Sequence, residues 1–272
     1  MIEFADVSVI IPCYKNTSSI ECAVASVANQ IVCPKEVILV DDASPDEGAT
    51  LLCLNRLKDL YVGHLNIVVI ALTKNVGPGV ARNAAWEVCT QPYIAFLDSD
   101  DAWIPEKIKI QYGWMRNNSS VAITGHSYKR VDGDLVNHII SKLFDPRLVT
   151  FFSMLLSNRF QTSSVMLKKS ISVRFDEKKR LCEDYQLWID IILEAESAYF
   201  FPVALGKVFR PVFSNGGLSG DLLGMENAEL GVFSRLYKKG HLSLLNYSFI
   251  VCWSISKFSY RFLVNVFRKF SK

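Results

Sequence analysis

The chain has 272 residues, half of them hydrophobic and 12% aromatic, with 30 basic side chains against 27 acidic ones and a formal charge of +3. Folding a chain of this length removes roughly three quarters of its unfolded surface from water, so a self-sufficient core is expected in one large domain or two modest ones. With 21% charged residues the composition is far from that of disordered chains, and a small net charge without a basic motif argues against a nucleic-acid partner.

The seven cysteines, Cys13, Cys22, Cys33, Cys53, Cys89, Cys182 and Cys252, form no C-x-x-C pair and gather no histidines. That excludes a disulfide framework and a zinc site. The start Met1-Ile2-Glu3-Phe4-Ala5-Asp6 carries acid where an export signal needs base. A reducing, cytoplasmic location is expected.

In chain order, Val7 to Ile11 is a predicted strand ended by Pro12, followed by a helix over Ser19 to Gln30. Val37 to Val40 is a second strand running into Asp41-Asp42-Ala43-Ser44-Pro45, and Glu47 to Leu60 a second helix. Asn66 to Leu72, Gly79 to Cys89 and Tyr93 to Leu97 give a strand, a helix and a fourth strand. Nearly continuous Val/Ile/Leu runs signal strands covered on both faces, as in a parallel sheet flanked by helices: an α/β fold. Ile104 to Arg116 reads as a helix, Val121 to Tyr128 as a strand, Arg130 to Asp145 as polar and turn-rich, and Leu181 to Ala195 as an amphipathic helix. A Gly/Ser-rich loop, Ser214 to Gly220, precedes a C-terminal helical appendage from about residue 226. The expected division is a domain over 1–225, with a nucleotide-binding half to about 120 and an acceptor half from 121, then the helical segment 226–272.

Sheets of this kind bind ligands at the carboxyl ends of their strands, where this sequence places Asp41, Asp42, Asp98, Asp100 and Asp101. Three carboxylates in Asp98-Ser99-Asp100-Asp101 repel one another unless something positive sits among them. Mg²⁺ or Mn²⁺ would serve, since both prefer oxygen ligands and complete their shell with water and phosphates. An acidic turn capping the next helix, led by Pro105, is the plainer reading. For Asp41-Asp42 the plainer reading is a turn bonded to its own backbone; two acidic turns at equivalent strand ends favour one shared crevice instead. Gly77-Pro78-Gly79-Val80-Ala81-Arg82-Asn83 imitates a dinucleotide fingerprint, but Arg82 stands where a small residue is needed and the unit follows the third strand. Arg82 and Asn83 on the first turn of a helix suit an anionic phosphate. Glu183 and Asp184 open a helix whose buried face would hold Leu187, Trp188, Ile191 and Ile192.

Together Val7 to Tyr14, Val40 to Ser44, the Asn75 to Asn83 loop, Phe96 to Asp101 and Glu183-Asp184-Tyr185 resemble a family 2 glycosyltransferase of the GT-A fold, over about residues 6 to 220. The resemblance implies a Rossmann-like, mostly parallel sheet and an inverting transferase that uses a nucleotide-diphospho-sugar donor and Mn²⁺ or Mg²⁺. It places Pro12, Tyr14, Asp41 and Asp42 around the base and Arg82 near the diphosphate. Asp98 would face the ribose and the metal shell and Asp100 the metal, while Asp184 becomes the general base with Glu183 beside it. Asp101, Asn83 and Trp188 are secondary candidates. The chain departs from the pattern at Arg210-Pro211-Val212-Phe213-Ser214, where many members carry Arg-x-His, so Arg210 alone is retained. A non-catalytic nucleotide-sugar-binding protein on the same fold is the alternative.

Every ionised side chain after Glu229 is basic, and the aromatic-rich run His241 to Ser256 is uncharged. It is shorter than the ~20 apolar residues a span requires. An interfacial helix is expected, with aromatics in lipid and cations on anionic headgroups; a C-terminal helix closing the core, its Lys and Arg solvated, is the plainer reading. The acceptor expected from this is a lipid-linked or lipopolysaccharide sugar at the inner face of the cytoplasmic membrane.

Overall fold

The structure is a computed structural model and describes residues 3–130, 145–195, 197–209 and 221–270. Arg210 and the Ser214–Gly220 loop lie outside these residues, as does most of the polar stretch between Arg130 and Asp145.

The N-terminal half alternates strand and helix as its apolar runs dictate. Strands β1 (Glu3–Cys13), β2 (Val32–Asp41), β3 (Ile67–Ala71) and β4 (Tyr93–Phe96) are separated by helices α1 (Ile20–Ala28), α2 (Ala49–Leu60) and α3 (Pro78–Val88). β1 pairs in parallel with β2 and β4, and β2 with β3. The period-2 geometry sends Ile10, Ile38 and Val40 into one core and Val9, Ile11, Val37 and Leu39 into the other. Both faces are thus covered, and the segments Val9 to Ile11 and Val37 to Val40 are apolar without interruption.

The second half is mixed. It comprises β5 (Asp101–Trp103), α4 (Lys107–Asn117), β6 (Ile123–Arg130), β7 (Arg147–Leu148), α5 (Phe151–Leu156), a 3₁₀ turn (Thr162–Ser164), β8 (Met166–Lys168), α6 (Glu183–Ala195) and β9 (Ala198–Val208). The nine-stranded sheet runs β3-β2-β1-β4-β8-β6-β9-β5, with β7 paired to β9. β8 is antiparallel to both β4 and β6, β5 and β7 are antiparallel to β9, and β6 runs parallel to β9. The strand order reverses at β1, between β2 and β4. That switch point opens the crevice in which the carboxyl-end loops meet.

Helices α7 (Leu222–Lys238) and α8 (Leu244–Phe270) follow. They are not a loose tail: Val232, Phe233, Leu236, Leu242 and Ile250 belong to the same core as Trp86, Phe96 and Trp188. Two of the tail's cations are engaged within the protein, Lys257 with Glu229 at 3.2 Å and Arg261 with Glu226 at 3.0 Å. Arg235 pairs with Asp190 at 2.7 Å. Lys257 and Arg261 are thus paired with acids of α7 while their side chains stay partly exposed. Among the described residues no helix is long and apolar enough to cross a membrane. All seven cysteines carry free thiols, with Cys22 and Cys252 exposed.

Candidate active site

The floor of the crevice is the turn Asp98-Ser99-Asp100-Asp101 leaving β4. Asp101 N–H bonds the Asp98 carbonyl at 3.1 Å. The Asn16 amide donates to the Ser99 hydroxyl at 2.9 Å, and the Ser19 hydroxyl donates to the Ser99 carbonyl at 2.7 Å. Asp98 and Asp100 are half-buried, so their carboxylates can meet both protein and ligand. Asp101 is buried in β5 and accepts the Ser163 hydroxyl at 2.7 Å, an interior bond.

At the end of β2 the two acids have different surroundings. Asp41 accepts the Ser44 N–H at 3.0 Å, closing a tight turn in which Ala43 adopts a φ of 52°. Asp42 is encircled by the loop before α3: it accepts the Asn75 amide at 2.9 Å and the N–H groups of Val76 and Gly77 at 2.8 and 2.9 Å. Burial nevertheless lifts its pKa, against those N–H groups and Arg180. Its N–H in turn bonds the Cys13 carbonyl at 2.9 Å. Pro12 is buried in β1, and Tyr14 is exposed just beyond it at the mouth.

Arg82 joins the two sides of the crevice. The guanidinium is buried, donates to Asp98 at 2.6 Å, lies 3.6 Å from Glu183 and stacks over Phe175 at 5.4 Å. Burial opposes its charge, but Asp98 and Glu183 hold it protonated, above arginine's ordinary range. Among the described residues its buried Nε has no hydrogen-bond partner, and its Nη1 is the atom that faces Glu183.

Glu183 and Asp184 open α6 after Cys182, which sits at a φ of 55°, a left-handed conformation unusual for a residue with a side chain. Gly79 makes room for them. A Cβ there would stand 2.8 Å from the Glu183 side chain and 3.2 Å from that of Phe175. The Glu183 pKa is pushed up to about 7, first by burial and then by neighbouring Asp184, against Arg82. Burial also raises Asp184, against two bonds that favour its anion: the Thr162 hydroxyl at 2.9 Å and the Tyr185 N–H at 2.7 Å. A carboxylate raised in this way is a better proton acceptor than a solvated one.

The remaining candidates serve the scaffold. Asn83 exchanges two hydrogen bonds with the backbone of Phe175, at 2.8 and 3.1 Å. Trp188 is fully buried, packed against Phe96 and Phe175 at 6.0 and 5.8 Å. Thr162, Ser163, Phe175 and Asn16 take part in the site without having been singled out in the sequence. The signal for two of them was the polar run Gln161-Thr162-Ser163-Ser164 standing directly before a buried strand.

The donor set suits a hard cation. Asp98 and Asp100 offer oxygen alone, on one turn. Among the described residues no three His, Cys, Asp or Glu side chains converge on a point, so the rest of a Mg²⁺ or Mn²⁺ shell would be water and donor phosphates, the usual arrangement.

A family model, Glycosyl transferase family 2, matches residues 8–175, which contain the carboxyl end of β1, strands β2 to β4, the acidic turns and the 3₁₀ turn. The chain belongs to that family. This family 2 glycosyltransferase is 29% identical over 186 residues to UDP-Glc:alpha-D-GlcNAc-diphosphoundecaprenol beta-1,3-glucosyltransferase WfgD of Escherichia coli, covering 68% of this chain and 69% of the relative. It is 31% identical to the putative teichuronic acid biosynthesis glycosyltransferase TuaG of Bacillus subtilis, covering 71% and 74%. Among solved structures, it resembles S. aureus TarS 1-349 in complex with UDP-GlcNAc, with a TM-score of 0.66 and 21% identity over 92% of this chain and 70% of that one. It also resembles the mannosyltransferase PcManGT of Pyrobaculum calidifontis with GDP-Man and Mn²⁺, with a TM-score of 0.67 and 15% identity over 93% and 73%. These likenesses show the GT-A fold, as the sequence motifs led us to expect.

Proposed function

We propose that this glycosyltransferase moves a hexose from a nucleotide-diphospho-sugar, a UDP-sugar first, to a lipid-linked oligosaccharide or lipopolysaccharide sugar, with inversion. The observation that carries this reading is the buried Arg82 held between Asp98 and Glu183. It joins the carboxyl end of β4, where a donor's diphosphate would lie, to the helix that presents Asp184.

A bound Mg²⁺ or Mn²⁺, held by Asp98 and Asp100, would supply positive charge to the leaving diphosphate. The protein's own residues do the rest. Asp41, Pro12 and exposed Tyr14 border the space for the base, while Asp42 fixes the loop that starts α3. The positive charge of Arg82, held beside Asp98, lies on the phosphate side of the site. Asp184 takes the proton of the acceptor hydroxyl as that oxygen bonds to the anomeric carbon. The bond from that carbon to phosphate breaks on the opposite face, and one displacement inverts the centre.

Two relatives support the acceptor class, since WfgD and WfaP are both named as glucosyltransferases acting on alpha-D-GlcNAc-diphosphoundecaprenol. The outward face of α8, with Leu245, Phe249, Trp253 and Tyr260 exposed, supports a peripheral position on the cytoplasmic face of the membrane. The test is a panel of UDP-, GDP- and dTDP-sugars with Mn²⁺, followed by turnover on synthetic diphospholipid-linked sugars. Asp184→Asn is expected to abolish transfer while retaining Mn²⁺-dependent UDP binding; an Asp184→Asn variant that still turns over removes the base from this reading.

A further inference from the structure

Two adjacent hydroxyls of the 3₁₀ turn reach the two halves of the site. Thr162 donates to the Asp184 carboxylate at 2.9 Å. Ser163 donates to Asp101 at 2.7 Å and accepts the Asp98 N–H at 3.0 Å, so one oxygen braces both ends of the acidic turn. The Ser163 carbonyl also receives the Trp103 indole N–H at 2.8 Å, tying β5 to the same point.

The turn itself has little freedom. Thr162, Ser163 and Ser164 are all buried. The Ser164 carbonyl accepts the Gln111 amide from α4 at 3.0 Å, the Ser164 hydroxyl donates to the Gln161 carbonyl at 2.6 Å, and Val165 N–H returns to the Thr162 carbonyl at 3.0 Å. β4 is joined to it directly by Phe96 N–H on the Val165 carbonyl at 3.2 Å. Consecutive side chains on such a turn keep a fixed separation, because the backbone between them has no slack.

We infer that Thr162-Ser163 is the positioning element of the transfer reaction: it sets the placement of the proposed base, through Thr162, relative to the diphosphate-binding turn, through Ser163. Neither residue touches a reacting atom. Each acts through an acid, Thr162 by fixing which Asp184 oxygen faces the acceptor and Ser163 by holding the turn that carries Asp98 and Asp100. The geometry of attack depends on both, since small misplacements of reacting groups cost large factors in rate. The inference rests on the proposed function, and its two arms fail separately.

The experiment uses the full chain with two readouts: Mn²⁺-dependent UDP binding by calorimetry, and turnover with the sugar nucleotide that the donor panel identifies. Ser163→Ala is expected to weaken Mn²⁺–UDP binding about tenfold, the size of one hydrogen bond to a charged group. Thr162→Val is expected to lower kcat about tenfold, leaving UDP affinity and donor KM unchanged, and Thr162→Ser restores kcat. Ser163→Cys leaves no cavity, its thiol being slightly larger than the hydroxyl, and weakens the bonds; it is expected to fall between wild type and Ser163→Ala. It serves the same purpose if the alanine variant melts early. The inference is overturned if Ser163→Ala and Ser163→Cys bind UDP as wild type does, if Thr162→Ser is as slow as Thr162→Val, or if all variants lose both readouts in parallel. Asp184→Asn separates the two levels: full turnover there defeats the assignment of the base, whereas its loss together with an unaffected Thr162→Val defeats the positioning role alone.

Discussion

Glu183 is buried at the start of α6, and Gly79 is the reason it fits. The first turn of α3 passes so close to the start of α6 that one added methyl group would stand 2.8 Å from the Glu183 side chain. Gly79→Ala therefore pushes Glu183 off Arg82 and disturbs Asp184 beside it. Turnover is expected to fall at least tenfold, while destabilisation stays within the roughly 1–3 kcal/mol typical of overpacking; turnover assays and a urea melt separate the two. His126 carries a second residue-scale expectation. It is buried in β6 beside Tyr128, and burial, with Lys107 adding to it, drives its pKa down to about 3. The unfolded chain takes up a proton near 6.5 and the folded one does not. This contribution to stability is thus complete above pH 6.5 and is lost as the pH falls toward 3, at about 1.4 kcal/mol per pH unit. His126→Asn is expected to flatten that part of the acid limb in urea melts at pH 4 to 7; an unchanged slope contradicts the assignment.

At the scale of single elements, α8 decides how the molecule would meet a membrane. Its inward side carries Ile250 and Ser254, the latter bonded to Glu226 at 2.9 Å, and Lys257 and Arg261 are held by α7. Leu245 and Tyr260 are 83% and 70% exposed, and Leu263 is exposed with them. A 3.6-residue period sets these three on one side of the helix. Attraction to lipid along this stretch would come from apolar burial more than from charge, since each buried apolar side chain contributes roughly 1.5–3 kcal/mol. Replacing Leu245, Tyr260 and Leu263 together by Ser is expected to reduce sedimentation with phosphatidylglycerol vesicles more than high salt does for the wild type. Loss to salt alone would return the contact to electrostatics. Deleting the helix is a poorer test, because it would strip Ile250 from the core.

For the molecule as a whole, the joined cores predict cooperative behaviour. Val232, Phe233 and Ile250 share one apolar cluster with Trp86 and Trp188, so the C-terminal helices are expected to unfold with the sheet. Calorimetry should give one transition, and amides of α7 should exchange with those of β1; an early, separate loss of α7 would mark it as an independent layer.

How much of this was legible in the sequence follows from the same packing. β1, β2 and β4 announced themselves because a strand covered on both faces is apolar without interruption. β5, β7 and β8 have two or three residues each, too few for any period to show, and they exist through pairing with distant strands. The acidic turns were visible as composition. Their division of labour was not, since only tertiary contacts turn Asp101 toward Ser163 and wrap Asp42 in the Asn75–Gly77 loop. Thr162 and Ser163 looked like ordinary turn residues because their significance lies in partners about 22 and 62 positions away along the chain.

The free thiol of Cys252 lies on the outward part of α8, and Cys22 is exposed on α1. Nature has thereby supplied two attachment points for nitroxide labels, one on the helix in question and one on the first helix of the chain. Comparing collision rates of each spin with dissolved oxygen and with a water-borne nickel chelate, with and without vesicles, would show whether the proposed contact with a bilayer forms and, if so, at what immersion depth, without altering a single codon.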